Sequence, residues 1–292
     1  MSYFFIYLRK LWLRIYIPIL YKDKKQRKAV LKQKTTILEK SYLARYLPAL
    51  KNDIQAAKNT NNTIFVCWLQ GMENAPSVVK KCYESICRQC PDYKIVVITK
   101  QNMAEYVTFP DYIIKKYQAG LITNTHFSDI LRVSLLAKHG GIWLDSTVFL
   151  SAPLPKEITE ADFFAYHCHS EHISNNNWLL KSKANHQLMV NMQNLLFAYW
   201  KKENRLINYF FYHIFFDLMI ENNQQCFDLW QKTPVLFDDC YKLEANFFTP
   251  YSRELWQQIN AETTIHKLSY KYKKQPQPNS FLQMFLENKL GV

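Results

Sequence analysis

Three side chains that can hold a charged group lie close together in the sequence. Asp129 and Arg132 stand three residues apart in a helical pattern, so they share one face of the helix. Asp145 follows the short apolar run 142–144, which predicts a buried strand. A carboxylate accepts hydrogen bonds from sugar hydroxyls, and a guanidinium binds phosphate. These three are the candidate catalytic residues, and the pattern alone leaves open an ordinary surface ion pair and a solvated loop carboxylate.

The elements that would position these residues alternate between strand and helix from residue 61 onward. Apolar, β-rich runs at 63–69 and 94–99 predict strands, and residues 128–138 have helical spacing with Ser128 as the expected N-cap. Alternating strands and helices predict a mostly parallel sheet covered on both faces. Ligands of such sheets bind beyond the carboxyl ends of the strands, where we expect Asp145.

A region dense in aromatic residues follows, over about residues 176–230. We interpret it as a mainly helical insertion. Its most apolar run, 207–220, is too short and too polar to span a bilayer, so a buried helix or the wall of a groove is expected.

The basic surplus of the chain is confined to its N-terminal part. The net charge is +13, and residues 1–60 contribute +11 of it, with 14 lysines and arginines against 3 acidic residues. The rest of the chain is therefore near neutral, and no nucleic-acid partner is predicted. We divide the chain into a basic helical segment, 1–60, and a catalytic domain, 61–292.

Residues 3–20 (YFFIYLRKLWLRIYIPIL) are aromatic and aliphatic but contain three cations and Pro18. They are a poor candidate for a membrane-spanning helix. On a helix the cations share one side and apolar residues cover the rest, and a polybasic run follows. This pattern predicts that residues 1–30 bind an anionic membrane surface. The alternative is a helix packed on the domain with solvated cations.

The chain contains seven cysteines, an odd number. Cys87 and Cys90 form one CxxC pair, but no second pair stands at the spacing of a zinc site. We therefore predict reduced thiols, as in a cytosolic protein.

At residues 126–132 (HFSDILR) and 138–145 (KHGGIWLD) the sequence resembles glycosyltransferase family 32, and within it the bacterial capsular polysaccharide synthesis branch. Members have an S-D-x-x-R helix, then G-G-I-[WY]-[LI]-D and a DXD-type motif. The resemblance extends more loosely over about residues 62–275.

The resemblance implies a GT-A fold, meaning a Rossmann-like mixed sheet flanked by helices. It also implies a nucleotide-sugar donor, a divalent cation (Mn²⁺ or Mg²⁺) and retention of anomeric configuration. Ser128, Asp129 and Arg132 would then contact the donor. Trp68 and Gln70 would join them, in a stretch that resembles the family's first strand and turn.

The sequence departs from the family at the DXD motif, where Thr147 stands in place of the second carboxylate. A hydroxyl is a weaker ligand than a carboxylate. The metal is therefore predicted to be held by Asp145 and Thr147 together with the diphosphate, and by His266, because related folds use a late histidine as a ligand. Lys267 and Lys271 would contact the phosphates. Binding of the donor without metal is the alternative.

These observations together predict a peripheral glycosyltransferase at the cytoplasmic face of the cell membrane. Its donor would be a uridine-diphosphate sugar, and its acceptor a lipid-linked or growing surface glycan in capsule synthesis. Two alternatives stay open. A sugar-phosphate transferase would transfer phosphate together with the sugar, and a non-catalytic assembly protein would have kept the fold without the metal.

Overall fold

The computed structural model describes residues 3–58, 61–170, 173–236 and 238–291. Within these residues the strands are β1 (Thr63–Cys67), β2 (Lys94–Ile98), β3 (Gly141–Leu144), β4 (Val148–Leu150), β5 (Phe163–Ser170), β6 (Ile173–Ser182) and β7 (Ile265–Lys267). The helices are α1 (Tyr3–Leu20), α2 (Lys24–Leu43), α3 (Ser77–Gln89), α4 (Met103–Tyr106), α5 (Asp111–Gln118), α6 (Asn124–His139), α7 (Lys156–Thr159), α8 (Gln187–Lys202), α9 (Phe211–Asn222), α10 (Gln224–Gln231), α11 (Lys242–Ala245), α12 (Arg253–Glu262) and α13 (Phe281–Leu286). Short 3-10 helices cover Ala44–Ala49 and Met72–Asn74.

Five strands form one mixed sheet in the order β2-β1-β3-β6-β5, and β4 and β7 form a separate antiparallel pair. Strand β1 lies parallel to β2 and β3, whereas β6 runs antiparallel to β3 and β5. The predicted α/β class, with a mixed sheet flanked by helices, is confirmed. The prediction of helix from residue 176 is wrong over 176–182, because this segment belongs to β6, which pairs with β3 on one side and β5 on the other.

Alternate residues of the central strands pack into two different hydrophobic clusters. Phe65 and Trp143 face one cluster, which includes residues of α5, α6, α8 and α9. Ile64 and Ile142 face the other, which includes residues of α3 and α7. Because neighbouring residues of a strand point to opposite faces, both faces of the sheet are covered by helices.

Helix α6 begins at Asn124, four residues before the predicted start. The side chain of Thr123 accepts a hydrogen bond from the backbone N–H of His126 and so caps the helix. Ser128 therefore lies inside the helix and is not its N-cap. The helix ends at His139, Gly140 is its C-cap, and β3 begins at Gly141.

Helix α1 packs on α2 in an orientation that exposes most of its apolar side chains. Ile6 and Ile17 are buried, and Lys10 turns toward the domain to pair with the buried carboxylate of Glu39. The exposed large side chains are Phe4, Phe5, Tyr7, Leu8, Leu11, Trp12, Ile15, Tyr16, Ile19 and Leu20. Among the described helices, none is long and apolar enough to cross a membrane. The two-part division of the chain at residue 60 stays a prediction.

All seven cysteines lie in the described ranges and are free thiols there. Cys87 lies within α3, and Cys90 follows its last residue.

Gly141 is expected to be essential for the start of β3, because its φ is +95° and an added Cβ would stand 2.5 Å from the carbonyl oxygen of Thr63. Gly141→Ala should lower the free energy of unfolding by more than Gly120→Ala, measured by urea denaturation. Gly120 is the matched control, since its φ is +72° but an added Cβ would meet nothing within 4 Å. Gly120→Ala should lose only about 1–2 kcal/mol of unfolding free energy, the cost of a left-handed backbone at a residue with a Cβ. Equal losses in the two variants would contradict the steric argument.

Candidate active site

A cavity of about 450 Å³ opens at the carboxyl ends of the parallel strands β1 and β3. Residues from five parts of the chain line it. They are Cys67, Trp68, Leu69, Gln70, Asn124, Thr125, Ser128, Arg132, Trp143, Asp145, Ser146, Thr147, Tyr209, Lys267, Leu268, Ser269, Tyr270 and Lys271. This is the edge at which ligands of open α/β sheets bind.

Asp145 lies between two cations. Its Oδ2 accepts a hydrogen bond from Lys267 Nζ at 2.7 Å, and its Oδ1 is 3.3 Å from Arg132 Nη1. Oδ1 also accepts a hydrogen bond from the indole N–H of Trp143 at 2.9 Å, while the Asp145 backbone N–H donates to Trp178. The carboxylate is therefore fixed by side chains from α6, β3 and β7.

Arg132 is only 5% exposed and is held on several sides. Its guanidinium donates to the backbone oxygens of Ser128 and Asn177 and to the Ser128 hydroxyl, and it lies 5.1 Å from the ring centre of Trp143. Burial alone would lower the pKa of the guanidinium, but the carboxylates of Asp145 and Asp129 raise that pKa above its ordinary value. The guanidinium thus stays charged in one orientation at the cavity wall.

The ionisation of Asp145 follows from the same contacts. Burial alone would raise the pKa of its carboxyl group, but the positive charges of Lys267 and Arg132 and the hydrogen bonds to it hold the pKa below its ordinary value of 3.8. Asp145 is accordingly a carboxylate at neutral pH. It can orient two cations, and it is not available as a proton donor.

Asp129 lies beside Arg132 but outside the residues that line the cavity. Its Oδ1 accepts a hydrogen bond from the Asn177 amide at 2.9 Å and is 3.2 Å from Arg132 Nη2. The predicted catalytic contact of Asp129 with a substrate therefore does not fit its position. It orients Arg132 from behind.

His266 also lies away from the cavity, which does not fit the prediction that it binds a metal beside Asp145. Its side chain is 0% exposed, stacks on Phe149 and has Nε2 3.2 Å from Ser151 Oγ. Burial lowers its pKa to about 4. The reason is strand geometry: His266 and Lys267 are neighbours in β7, so their side chains point to opposite faces.

The side chains present do not fit the predicted divalent cation. Of the residues that the structure describes, Asp145 is the only carboxylate that lines the cavity, and Thr147 Oγ1 already accepts a hydrogen bond from Lys267 Nζ at 2.8 Å. In nucleotide sites Mg²⁺ is held by one or two carboxylates together with substrate phosphates. Here the carboxylate that would do so is already paired with Lys267 and Arg132. Across the described residues, no group of three His, Cys, Asp or Glu side chains stands in a metal-binding arrangement.

A family model described as a capsular polysaccharide synthesis protein matches residues 14–286 of the chain. The chain belongs to this family. No curated protein matches it. One similar solved structure is the PaToxG glycosyltransferase, with 14% identity and a TM-score of 0.39 over 68% of this chain and 83% of that chain. The five-stranded mixed sheet flanked by helices is consistent with a GT-A-like fold.

Six of the seven predicted donor-binding residues line the cavity. They are Trp68, Gln70, Ser128, Arg132, Lys267 and Lys271. Sequence reasoning missed two tyrosines. Tyr270 packs edge-on against Trp68 at 5.4 Å, and Tyr209 lies in the loop before α9, 71% exposed. The adjacent aromatic residues 209–210 could have indicated a binding surface, but the sequence pattern assigned them to a helix.

Asp145→Asn should lower the free energy of unfolding of the protein by about 1–3 kcal/mol at pH 7, because Arg132 and Lys267 lose the carboxylate that they share. The folded-state pKa of Asp145 is depressed, so its contribution is complete above pH 3.8 and is lost as the pH falls further. Urea denaturation from pH 7 to pH 3 should show the gap between wild type and variant closing at the acidic end. Asp92→Asn, in the exposed turn before β2, is the control and should change stability by less than about 0.5 kcal/mol. A gap that is absent at pH 7, or that widens in acid, would contradict the pairing.

Proposed function

We propose that this chain is a glycosyltransferase that transfers a sugar from a nucleoside-diphosphate donor during capsular polysaccharide synthesis. The observation that carries the proposal is the fixed pair of cations, Arg132 and Lys267, at the strand-end cavity. Membership of the capsular polysaccharide synthesis family supports the biological setting. The donor would be a uridine-diphosphate sugar, as the resemblance to glycosyltransferase family 32 implies.

The diphosphate would lie at the cationic side of the cavity. The first turn of α6 contributes Asn124 and Thr125 to the lining, and helix N-termini attract anions through their free N–H groups and dipole. Arg132, Lys267 and Lys271 add three positive charges to that surface. This set of groups favours a doubly charged phosphate ligand over a neutral one.

The nucleoside would lie at the aromatic side. Trp68 and Tyr270 form an edge-on pair in the lining, and the exposed Tyr209 also lines the cavity. The indole N–H of Trp68 is buried and has no hydrogen-bond partner among the described residues. A planar base with carbonyl oxygens would supply both a stacking surface and an acceptor for it.

In the reaction, the bond between the sugar and the diphosphate breaks and negative charge grows on the leaving phosphate. Arg132 and Lys267 are held in place before the substrate arrives, so they stabilise that charge without reorganising. Asp145 keeps both cations oriented. Retention of configuration, which the resemblance implies, would require the acceptor hydroxyl to enter on the face that the diphosphate leaves.

The acceptor would be carried on a lipid at the cytoplasmic face of the membrane. The exposed apolar side of α1 and the cations around it suit an anionic lipid surface. Helix α1 also contacts the cavity wall indirectly. Tyr3 and Lys10 donate hydrogen bonds to the backbone oxygens of Leu206 and Ile207, close to Tyr209 in the same loop. A membrane-bound α1 would therefore hold the cavity near the lipid.

The test of the proposal is a donor screen that measures nucleotide release with lipid-linked saccharide acceptors, in Mn²⁺ and in chelator. Turnover is expected with a uridine-diphosphate sugar. Arg132→Gln should reduce kcat/KM by about 100-fold or more, because it removes a preorganised charge from the leaving group. The exposed Arg253→Gln, on α12, is the control and should leave turnover unchanged. A product that contains phosphate would identify a sugar-phosphate transferase, and no nucleotide binding at all would leave only an assembly role.

Membrane binding has its own test, because Trp12→Glu places a charge on the exposed side of α1 without disturbing Ile6 or Ile17. The variant should lose most of its co-sedimentation with vesicles that contain anionic phospholipid, since a carboxylate resists both apolar burial and the negative surface. Phe227→Glu is the matched control: the side chains are 55% and 40% exposed, and Phe227 lies on α10. Equal binding of both variants would show that α1 is not the contact.

A further inference from the structure

We propose that the ammonium group of Lys267 takes the place of a divalent cation, so that this chain binds its nucleoside diphosphate without a metal. The inference rests on the proposed function, because it specifies how the same cavity meets the diphosphate. It also accounts for the threonine at the second acidic position of the DXD-type motif.

The two side chains that would hold a metal in that motif already converge on one cation. Lys267 Nζ is 2.7 Å from Asp145 Oδ2 and 2.8 Å from Thr147 Oγ1. The positions of the first and third motif residues thus define a site for a single positive group. A hydroxyl accepts a hydrogen bond from an ammonium group well, whereas it is a weak ligand for a divalent cation.

The backbone fixes Lys267 in this place. Strand β7 pairs antiparallel to β4 with Val148 opposite Lys267, and the backbone N–H of Leu268 donates to the Thr147 carbonyl at 2.9 Å. The Lys267 backbone N–H donates to Cys240 at 2.7 Å. With its side chain only 17% exposed, Lys267 is part of a sheet and not a mobile surface lysine.

The ammonium group still has a donor for the ligand. An ammonium carries three N–H bonds, and Asp145 and Thr147 accept two of them. Lys267 Nζ donates no other hydrogen bond within the described part of the chain, and Lys267 lines the cavity. The third N–H is therefore free to donate to a phosphate oxygen.

A divalent cation would have to compete with charges that are already in place. Arg132 Nη1 lies 3.3 Å from Asp145 Oδ1, and Lys267 lies on the other oxygen. Asp129 also pairs with Arg132, but a divalent ion on Asp145 would still lie beside both the guanidinium and the ammonium group. Like charges at these distances repel strongly in a partly buried site. The arrangement supplies positive charge to the diphosphate from side chains alone.

Calorimetric titration of uridine diphosphate into the full chain tests the proposal, with excess Mn²⁺ and with EDTA. Wild type should bind with the same Kd, within about threefold, in both conditions. Lys267→Met should weaken binding at least about tenfold in both, because Mn²⁺ does not replace the lost charge. Lys183→Met is the matched control. Lys183 is 20% exposed and paired with Asp162, outside the cavity, so its loss should leave Kd unchanged.

Thr147→Asp gives a second measurement that does not depend on the folding of the lysine variant. Under the proposal, the new carboxylate competes for Lys267 and repels the diphosphate, so binding weakens with and without Mn²⁺. If the site holds a metal, the same change adds a charged ligand and tightens binding in Mn²⁺ only.

Three results would overturn the proposal. Wild-type binding that weakens more than about tenfold in EDTA would restore the metal and leave the glycosyltransferase function standing. Tighter binding by Thr147→Asp in Mn²⁺ would do the same. No binding of uridine diphosphate in either condition would remove the proposed donor, and this inference with it.

Discussion

The carboxylate of Asp145 is the interaction on which the arrangement of the cavity depends. It joins Arg132 from α6, Trp143 from β3 and Lys267 from β7, three elements that are far apart in the sequence. Breaking a partly buried ion pair by removing one partner leaves an uncompensated charge, which is costlier than the pair itself is stabilising. Because two cations share this carboxylate, its loss would release both sides of the cavity at once.

The charges around Asp145 alternate in sign, from Asp129 through Arg132 and Asp145 to Lys267. Asp129 and Asn177 support Arg132 from the protein side, and Asp145 separates Arg132 from Lys267. Charges fixed in this way require little reorganisation when a negative ligand binds, and groups held in a poorly solvated site act on it more strongly than in water. The two carboxylates, Asp129 and Asp145, therefore orient the cations. This division of roles explains why neither carboxylate needs to react.

The sequence was sufficient to predict the local parts of this site and not their assembly. The helix with Arg132 and the strand that ends at Asp145 follow from apolar spacing and from the glycines between them. The pairing of Lys267 with Asp145 spans 122 residues and depends on the register of β4 and β7. A shift of one residue exchanges the two faces of a strand, which is why sequence spacing does not tell that Lys267 lines the cavity and His266 does not. Strand β6 was missed because a short apolar run does not distinguish a buried strand from a helix.

Helix α1 reverses the usual pattern of a surface helix, and the reversal connects the N-terminal segment to the cavity. Its charged Lys10 is turned inward to Glu39, while aromatic and aliphatic side chains face outward. An inward ion pair fixes the rotation of the helix on the domain, and this rotation is what presents the apolar side. The loop that accepts hydrogen bonds from α1 continues to Tyr209 at the cavity opening. One loop therefore connects the helix that presents this apolar side to the lining of the cavity.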